Sequence, residues 1–416
     1  MAADLPPDIL AEIFSRLPVK SLLRFRSTSK SLRSLIDSHK FINLHLQNSL
    51  NRSLIIQHKF DLHQLQIDDD DFSKSRIPLN HPFTGNTTNI DPFKVNDTMT
   101  RIGSCNGLVA ISNGKFAFIN PYDANEITFW NPNTRKHRII PFLPLPIPIL
   151  DPTIRASLCV HGFGFDSVSC DYKLLRISYL IDHQSTFYDP HVRLFSSKTN
   201  SWKIIPTMPY VLQYYHTMGV FVDNSSSIHW VAMRKIQSFQ SDLILAFNLT
   251  LETFNEAPLP HELGEEVNGN KFEIRVAVLG GCLCMTVDYK TTKVDIWVMK
   301  EYGSRDSWCK LFTLVKSSLD LPLESLRPLC YSSYGSKVLL EGDHVLLEVQ
   351  HWKLFWYDLK SEQISYVEGI SNLDDAMLCV GSLVPPSLPV DNRRKKENHT
   401  SKRRYFLLFY MSFCCV

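Results

Sequence analysis

ITFWNPNTRKHRIIP, residues 127–141, and VRLFSSKTNSWKIIP, residues 192–206, align without a gap when the chain is slid against itself by 65 positions. Each is an apolar strand, a polar turn of Asn, Pro, Ser and Thr, and a second strand closing on Ile-Ile-Pro. The unit recurs without a gap at Leu245–Pro260 and Leu354–Glu368, and at Asp295–Phe312 with about four extra turn residues. Its anchoring aromatics are Trp130, Phe195, Phe247, Trp297 and Tyr357, spaced 65, 52, 50 and 60 apart. A period near 50 is too long for a solenoid of short helix pairs and close to that of a four-stranded propeller blade.

The intervening segments supply the missing strands. Gly103–Ile111 and Lys115–Asn120 precede the first hairpin, Gly162–Phe165 and Tyr172–Leu180 the second, and Gly219–Asp223 and Ser227–Met233 the third. Arg275–Leu279 and Cys282–Asp288 precede the fourth; Tyr331–Tyr334, Lys337–Leu340 and His344–Val349 precede the fifth. Five hairpins do not close a ring. Ser53–Lys59 and Leu62–Ile67 also read as strands, as does Ala376–Val384. We expect these to form a mixed sixth blade that latches the ring and protects its sheet edges.

Composition fits this reading. The 416 residues are 44% hydrophobic and 21% charged, with 25 Phe and 15 Tyr, residues that favour strands. Net charge is +2, but residues 393–404 alone carry +6, so the rest carries −4. A mildly acidic body argues against a nucleic-acid partner. Ten cysteines include no C-x-x-C pair, so no zinc site is expected. Asp4, Asp8 and Glu12 occupy the stretch where a secretory signal needs basic and apolar residues. We therefore expect an intracellular protein whose cysteines act as small hydrophobes. The matches to the glycosylation triplet at Asn51 and Asn248 are then chance.

The N-terminus is different. Pro6 and Pro7 suit a first helical turn, with Asp8 and Glu12 on its positive end. Ile9, Leu10, Ile13, Phe14 and Leu17 form one apolar stripe. Pro18 ends that helix; a second runs from Val19 to Phe25, and Ser27 or Ser29 caps a third carrying Leu32, Leu35 and Ile36. So few residues cannot bury so many aliphatics among themselves. Either the segment completes its core against another protein, or it packs on its own chain.

Leu5-Pro6-x-Asp8-Ile9-Leu10-x-Glu12-Ile13-Phe14-x-Arg16-Leu17-Pro18-x-Lys20-Ser21-Leu22-Leu23-Arg24-Phe25-Arg26 resembles an F-box, the plant variety in particular. Phe41-Ile42-x-x-His45-Leu46 is similar to the segment that follows one, while Leu32 stands where the family commonly has Trp. The resemblance implies docking on a Skp-type adaptor of a cullin ubiquitin ligase through Leu5, Pro6, Ile9, Ile13, Leu17, Pro18, Leu22 and Leu23. Family adaptors are acidic, and residues 1–46 carry seven Lys/Arg against four Asp/Glu.

The body resembles the F-box-associated domain, a divergent kelch-type propeller. Gly103-Ser104-Cys105-Asn106-Gly107-Leu108, Asn131-Pro132-x-Thr134 and Gly162-Phe163-Gly164-Phe165-Asp166 carry that likeness, although the full kelch signature is absent. The expected fold is thus α+β and multidomain: a three-helix F-box at 1–46, an all-β propeller of about six blades at 47–390, and a disordered tail at 391–416.

No motif for catalysis, metal or cofactor emerges. No G-x-S-x-G, H-E-x-x-H or P-loop is present, and Tyr, His and Cys do not cluster as the copper site of a kelch-type oxidase requires. The acidic run Asp68–Asp71 lacks the alternation of a calcium loop and reads as solvated. Pro141–Pro152 reads as an extended rim loop. A protein substrate is expected on the loops of one propeller face, with Tyr210, Tyr214, Tyr215 and His216 of MPYVLQYYH as anchors and His183–His191 as a second candidate. Arg393, Arg394, Lys395, Lys396 with Lys402, Arg403, Arg404 resemble a two-part nuclear import signal, implying nucleus and cytoplasm. The apolar stretch YFLLFYMSFCCV after it is too short to span a bilayer, and we expect no membrane contact.

The chain therefore reads as a non-catalytic substrate receptor whose F-box is a separable plug for another subunit. A scaffold that sequesters partners, or a propeller binding glycans or small ligands, are the alternatives.

Overall fold

The computed structural model describes residues 6–48, 52–58, 61–68, 71–72, 76–83, 99–114, 126–145, 154–182, 190–212, 218–234, 243–264, 272–318, 325–346, 349–370 and 373–387. Four helices come first: α1 (Pro7–Ser15), α2 (Val19–Arg26), α3 (Lys30–Ile36) and α4 (His39–Asn48). Three were expected. The fourth forms because Ser38 Oγ accepts from the Phe41 amide at 3.2 Å, and Phe41, Ile42, His45 and Leu46 make an inward stripe. Pro18 separates α1 from α2, and the Ser29 hydroxyl caps α3 by accepting from Leu32 N at 3.1 Å.

Strands β1 (Arg52–His58), β2 (Asp61–Asp68), β3 (Asp71–Phe72) and β4 (Ile77–Leu79) follow. Blade I is β5 (Thr100–Cys105), β6 (Leu108–Ser112), β7 (Ile127–Asn131) and β8 (Lys136–Ile139). Blade II is β9 (Ile154–Asp166), β10 (Asp171–Asp182), β11 (His191–Ser196) and β12 (Ser201–Ile205). Blade III holds β13 (Tyr210–Leu212) and β14 (Val220–Val222), both on β15 (Ser227–Arg234), then β16 (Leu243–Asn248) and β17 (Thr253–Ala257). Blade IV is β18 (Glu273–Leu279), β19 (Cys282–Asp288), β20 (Lys293–Met299) and β21 (Trp308–Val315). Blade V is β22 (Ser325–Tyr331), β23 (Lys337–Leu346), β24 (Val349–Asp358) and β25 (Ile364–Tyr366). In blade V the strand expected at Tyr331–Tyr334 lies earlier, ending at Tyr331 with 332–334 in the turn after it, and Lys337–Leu346 is one strand rather than two.

Blade VI closes the ring. β26 (Asp375–Val380) pairs antiparallel with β1 from Arg52↔Val380 to Gln57↔Asp375, and β1 pairs with β2. The innermost strand of this blade thus comes from the far end of the chain and the outer ones from its beginning, the mixed latch expected from the sequence.

The hairpin repeat has a packing cause. One apolar cluster fills each gap between adjacent blades. The repeated aromatic always lies in the cluster toward the preceding blade: Trp130 against blade VI, Phe195 against I, Phe247 against II, Trp297 against III and Tyr357 against IV. Each is nearly or fully buried. Two glycines of the Gly162–Asp166 stretch exist for the same reason, since a Cβ on Gly162 would sit 2.6 Å from Trp230.

Because neighbouring strands alternate in direction, the turns from first to second and third to fourth strand share one end of every blade. These are short, such as 106–107, 132–135, 167–170, 197–200, 249–252 and 280–281. The connections at the other end include the long segments 113–126, 140–153, 183–190, 235–242 and 258–272, while 206–209 leads into β13. The helices join β1 at the short-turn end, so the strand ends from which the long connections leave lie on the opposite face.

Candidate functional sites

On the short-turn face, Val19, Leu22, Ile36 and Phe41 are the buried core of the helical module, and the fifth buried member is Leu383, from beyond β26. Ile42 belongs to this cluster and to that between blades I and II, where Leu46 and Val384 also pack. The Asn131-Pro132-x-Thr134 turn holds this tail in place. Asn131 Nδ2 donates to the carbonyls of Ser382 (3.0 Å) and Val384 (2.8 Å), while its Oδ1 accepts from Asn133 N (2.9 Å) and Thr134 N (3.1 Å). Asn133 Oδ1 accepts from Ser382 N at 3.1 Å. Gly107 has φ +76°, and a Cβ there would lie 2.2 Å from that of Ser382. Two of the sequence motifs therefore cradle one serine, and the expectation of a separable plug is corrected: the propeller completes the helical core.

The other side of the module faces out. Ile9 and Ile13, four residues apart on α1, are 50% and 48% exposed, and Phe25 of α2 is 39% exposed and stacks on Phe14 at 5.1 Å. Pro6 and Pro18 are exposed beside them. Leu17 and Leu23 are half-buried and pack inward. Leu22 is fully buried, so its expected place on the docking face is corrected; the α2 stripe turns it toward Val19 and Leu383. Leu5 lies outside the described residues. Leu32 is half-buried and takes no place among the core residues.

Polar contacts hold this crest in shape. Asn48 Nδ2 donates to Ser15 Oγ at 2.8 Å, tying α4 to α1. His45, fully buried, contacts the Leu17 carbonyl through Nε2 at 3.0 Å. Burial lowers the His45 pKa, the carbonyl bond opposing, so the ring is neutral and Nε2 donates.

On the long-connection face, MPYVLQYYH is not a free loop throughout. Met208 is buried, and Tyr210–Leu212 form β13, paired with the end of β15. The Tyr210 hydroxyl donates to Glu256 Oε1 at 2.8 Å, and Arg234 forks onto the same carboxylate at 3.0 and 2.6 Å. Tyr214, Tyr215 and His216 lie outside the described residues, as do 183–189 of the second candidate loop, and the whole basic stretch Arg393–Arg404.

Nearer the axis on that face, charges from blades V, VI and I interlock. Arg101 of β5 is 1% exposed, pairs with Asp375 of β26 and donates from Nη1 to the Ile55 carbonyl at 3.2 Å. Arg327 of β22 bonds Glu341 at 2.9 Å, Asp375 at 2.7 Å and the Ala376 carbonyl at 2.7 Å. Burial brings the Arg101 pKa down to about 9, with Glu341 opposing. Sequence reading missed this cluster, because its members lie on three blades and share no local motif.

A helical module with an outward apolar crest, fixed to the short-turn face of a six-bladed propeller, defines the class. The chain belongs to the plant F-box proteins with an F-box-associated propeller: the F-box associated beta propeller domain matches residues 51–361 and the F-box domain residues 3–44. It is similar to F-box protein CPR1 of Arabidopsis thaliana, 34% identical over 92% of this chain and 89% of that one. A second Arabidopsis thaliana F-box protein is 30% identical over 87% and 85%, and an F-box/kelch-repeat protein of that plant 25% identical over 92% and 96%.

Proposed function

We propose that this protein is the substrate receptor of a Skp–cullin–F-box ubiquitin ligase. The observation that carries the reading is the crest of Ile9, Ile13 and Phe25, left open on a module whose opposite side is sealed by Leu383. Each of these side chains is already about half buried, so covering the rest against an adaptor contributes roughly 0.7–1.5 kcal/mol apiece. In this reading Leu5, Pro6, Pro18, Leu17 and Leu23 edge the adaptor contact. Leu22 supports it from inside.

The target protein is received on the long-connection face, where Tyr210, Arg234 and Glu256 already form a fixed polar cluster beside the residues 213–217. Ubiquitin transfer belongs to other subunits, and this chain contributes positioning. The basic residues of 393–404 carry import into the nucleus, and the receptor works there and in the cytoplasm.

Pull-down of a Skp-type adaptor tests the first step. The pair Ile9→Asp and Ile13→Asp abolishes capture while the circular dichroism melt of the full chain stays unchanged. Retention of the adaptor by that variant refutes the reading. For the second step, the stabilised proteins labelled by proximity under proteasome block depend on residues 206–219 and 235–242.

A further inference from the structure

Between α2 and the short-turn end of blade VI lies a cleft of about 350 Å³. That size is within the range of small-molecule sites. Val19, Lys20 and Arg24 line one wall; Arg52, Ser53, Gln64 and Gln66 line the other, and Ile77 is at its edge.

The charges here are arranged against one another. Lys20 and Arg24 stand four residues apart on α2, a like-charge spacing that destabilises a helix. The opposite wall offers a third cation, Arg52, instead of a carboxylate. Elsewhere in the helical module, Arg16 pairs with Glu12, Arg26 and Arg33 with Asp37, and Lys40 with Asp8. Among the described residues, Lys20, Arg24 and Arg52 have no such partner. α2 also starts on Pro18 without a side-chain cap and without an acidic residue in its first turn, so its positive end opens here uncompensated.

Neutral donors complete the wall. Ser53 is 5% exposed; its hydroxyl donates to the Cys379 carbonyl at 3.2 Å and accepts from Gln64 Nε2 at 2.9 Å, which fixes the Gln64 amide at the cleft.

The geometry points to a binding site for a small organic phosphate with more than one phosphate group, held where the F-box meets the propeller. Two guanidinium forks and an ammonium suit phosphate oxygens, the amides add donors, and the exposed Ile77 at the edge receives the organic part. Such a ligand bridges α2 to β1 and locks the angle between adaptor and substrate face.

Titration calorimetry of the full chain with tripolyphosphate tests this. One-to-one binding is expected, weakening with salt, and falling by about tenfold or more in Arg24→Gln/Arg52→Gln as charge-assisted bonds are lost. Hydrogen exchange slows at residues 19–24 and 52–66 on binding. Lys30→Gln, an exposed change on the same module outside the cleft, leaves affinity unchanged. The inference is overturned by absence of binding, by equal loss in Lys30→Gln, or by full affinity in the folded Arg24→Gln/Arg52→Gln variant. A phosphoserine peptide that binds where tripolyphosphate does not would overturn the small-ligand assignment as well.

Discussion

Asn131 donates from one amide nitrogen to the carbonyls of Ser382 and Val384, some 251 and 253 positions later in the chain. The bond fastens the first blade to the segment that carries Leu383 into the F-box core. Asn131→Ala leaves two buried carbonyls unsatisfied and costs roughly 2–6 kcal/mol at about 1–3 per orphaned group. Hydrogen exchange reads the consequence: α4 loses protection before the strands of blades III and IV do.

Leu22 and Ile13 separate support from docking. Leu22→Ala opens a cavity and costs about 2–5 kcal/mol of module stability. Ile13→Ala, half-exposed, stays within about 0.5 kcal/mol of the parent in stability yet weakens adaptor capture. A denaturation series beside a pull-down shows whether the two effects divide this way.

Arg101 and Asp375 latch blade I to blade VI. Asp375→Ala strands a buried guanidinium and destabilises by roughly 3–5 kcal/mol. The double change Arg101→Met/Asp375→Ala removes both charges and recovers a large part of that loss. A double-mutant cycle on thermal unfolding measures it; simple additivity would contradict the pairing.

Buried histidines set a pH dependence, His161 and His229 most strongly, with His45 shifted in the same direction. Burial pushes His161 down to about 3, reinforced by Arg176, and His229 down to about 4, against the bond its Nδ1 donates to the Val220 carbonyl. Both are neutral when folded, whereas the unfolded chain binds protons near pH 6.5. Stability is therefore complete above about 6.5 and falls as pH drops toward 4, by up to about 1.4 kcal/mol per pH unit for each histidine. Urea unfolding at pH 7 and pH 5 shows the loss, and His229→Asn reduces it.

The propeller was legible because its period is written in one strand per blade: an aromatic facing the preceding blade leaves the same mark five times. The F-box was legible from its proline and leucine spacing. Apart from the closure of blade VI, what escaped was what depends on separate parts of the chain meeting. Leu22 and Ile13 are both apolar at helical spacing, and only the arrival of Leu383 decides which one is inside. The Arg101–Asp375–Arg327–Glu341 cluster draws single residues from distant strands, with no local pattern to announce it. β13 was read as part of a loop because three residues are too few to show alternation.

Leu383 also orders events in time. The F-box is made first, but its core lacks one wall until residue 383 has been synthesised, about tens of seconds later at ordinary elongation rates. β26, the inner strand of the latch, is made just before it. A chain stopped short of both can neither close its ring nor firm up the surface on which a ligase adaptor would sit. Fragments that lack residue 383 are thereby left with an F-box whose core is one wall short.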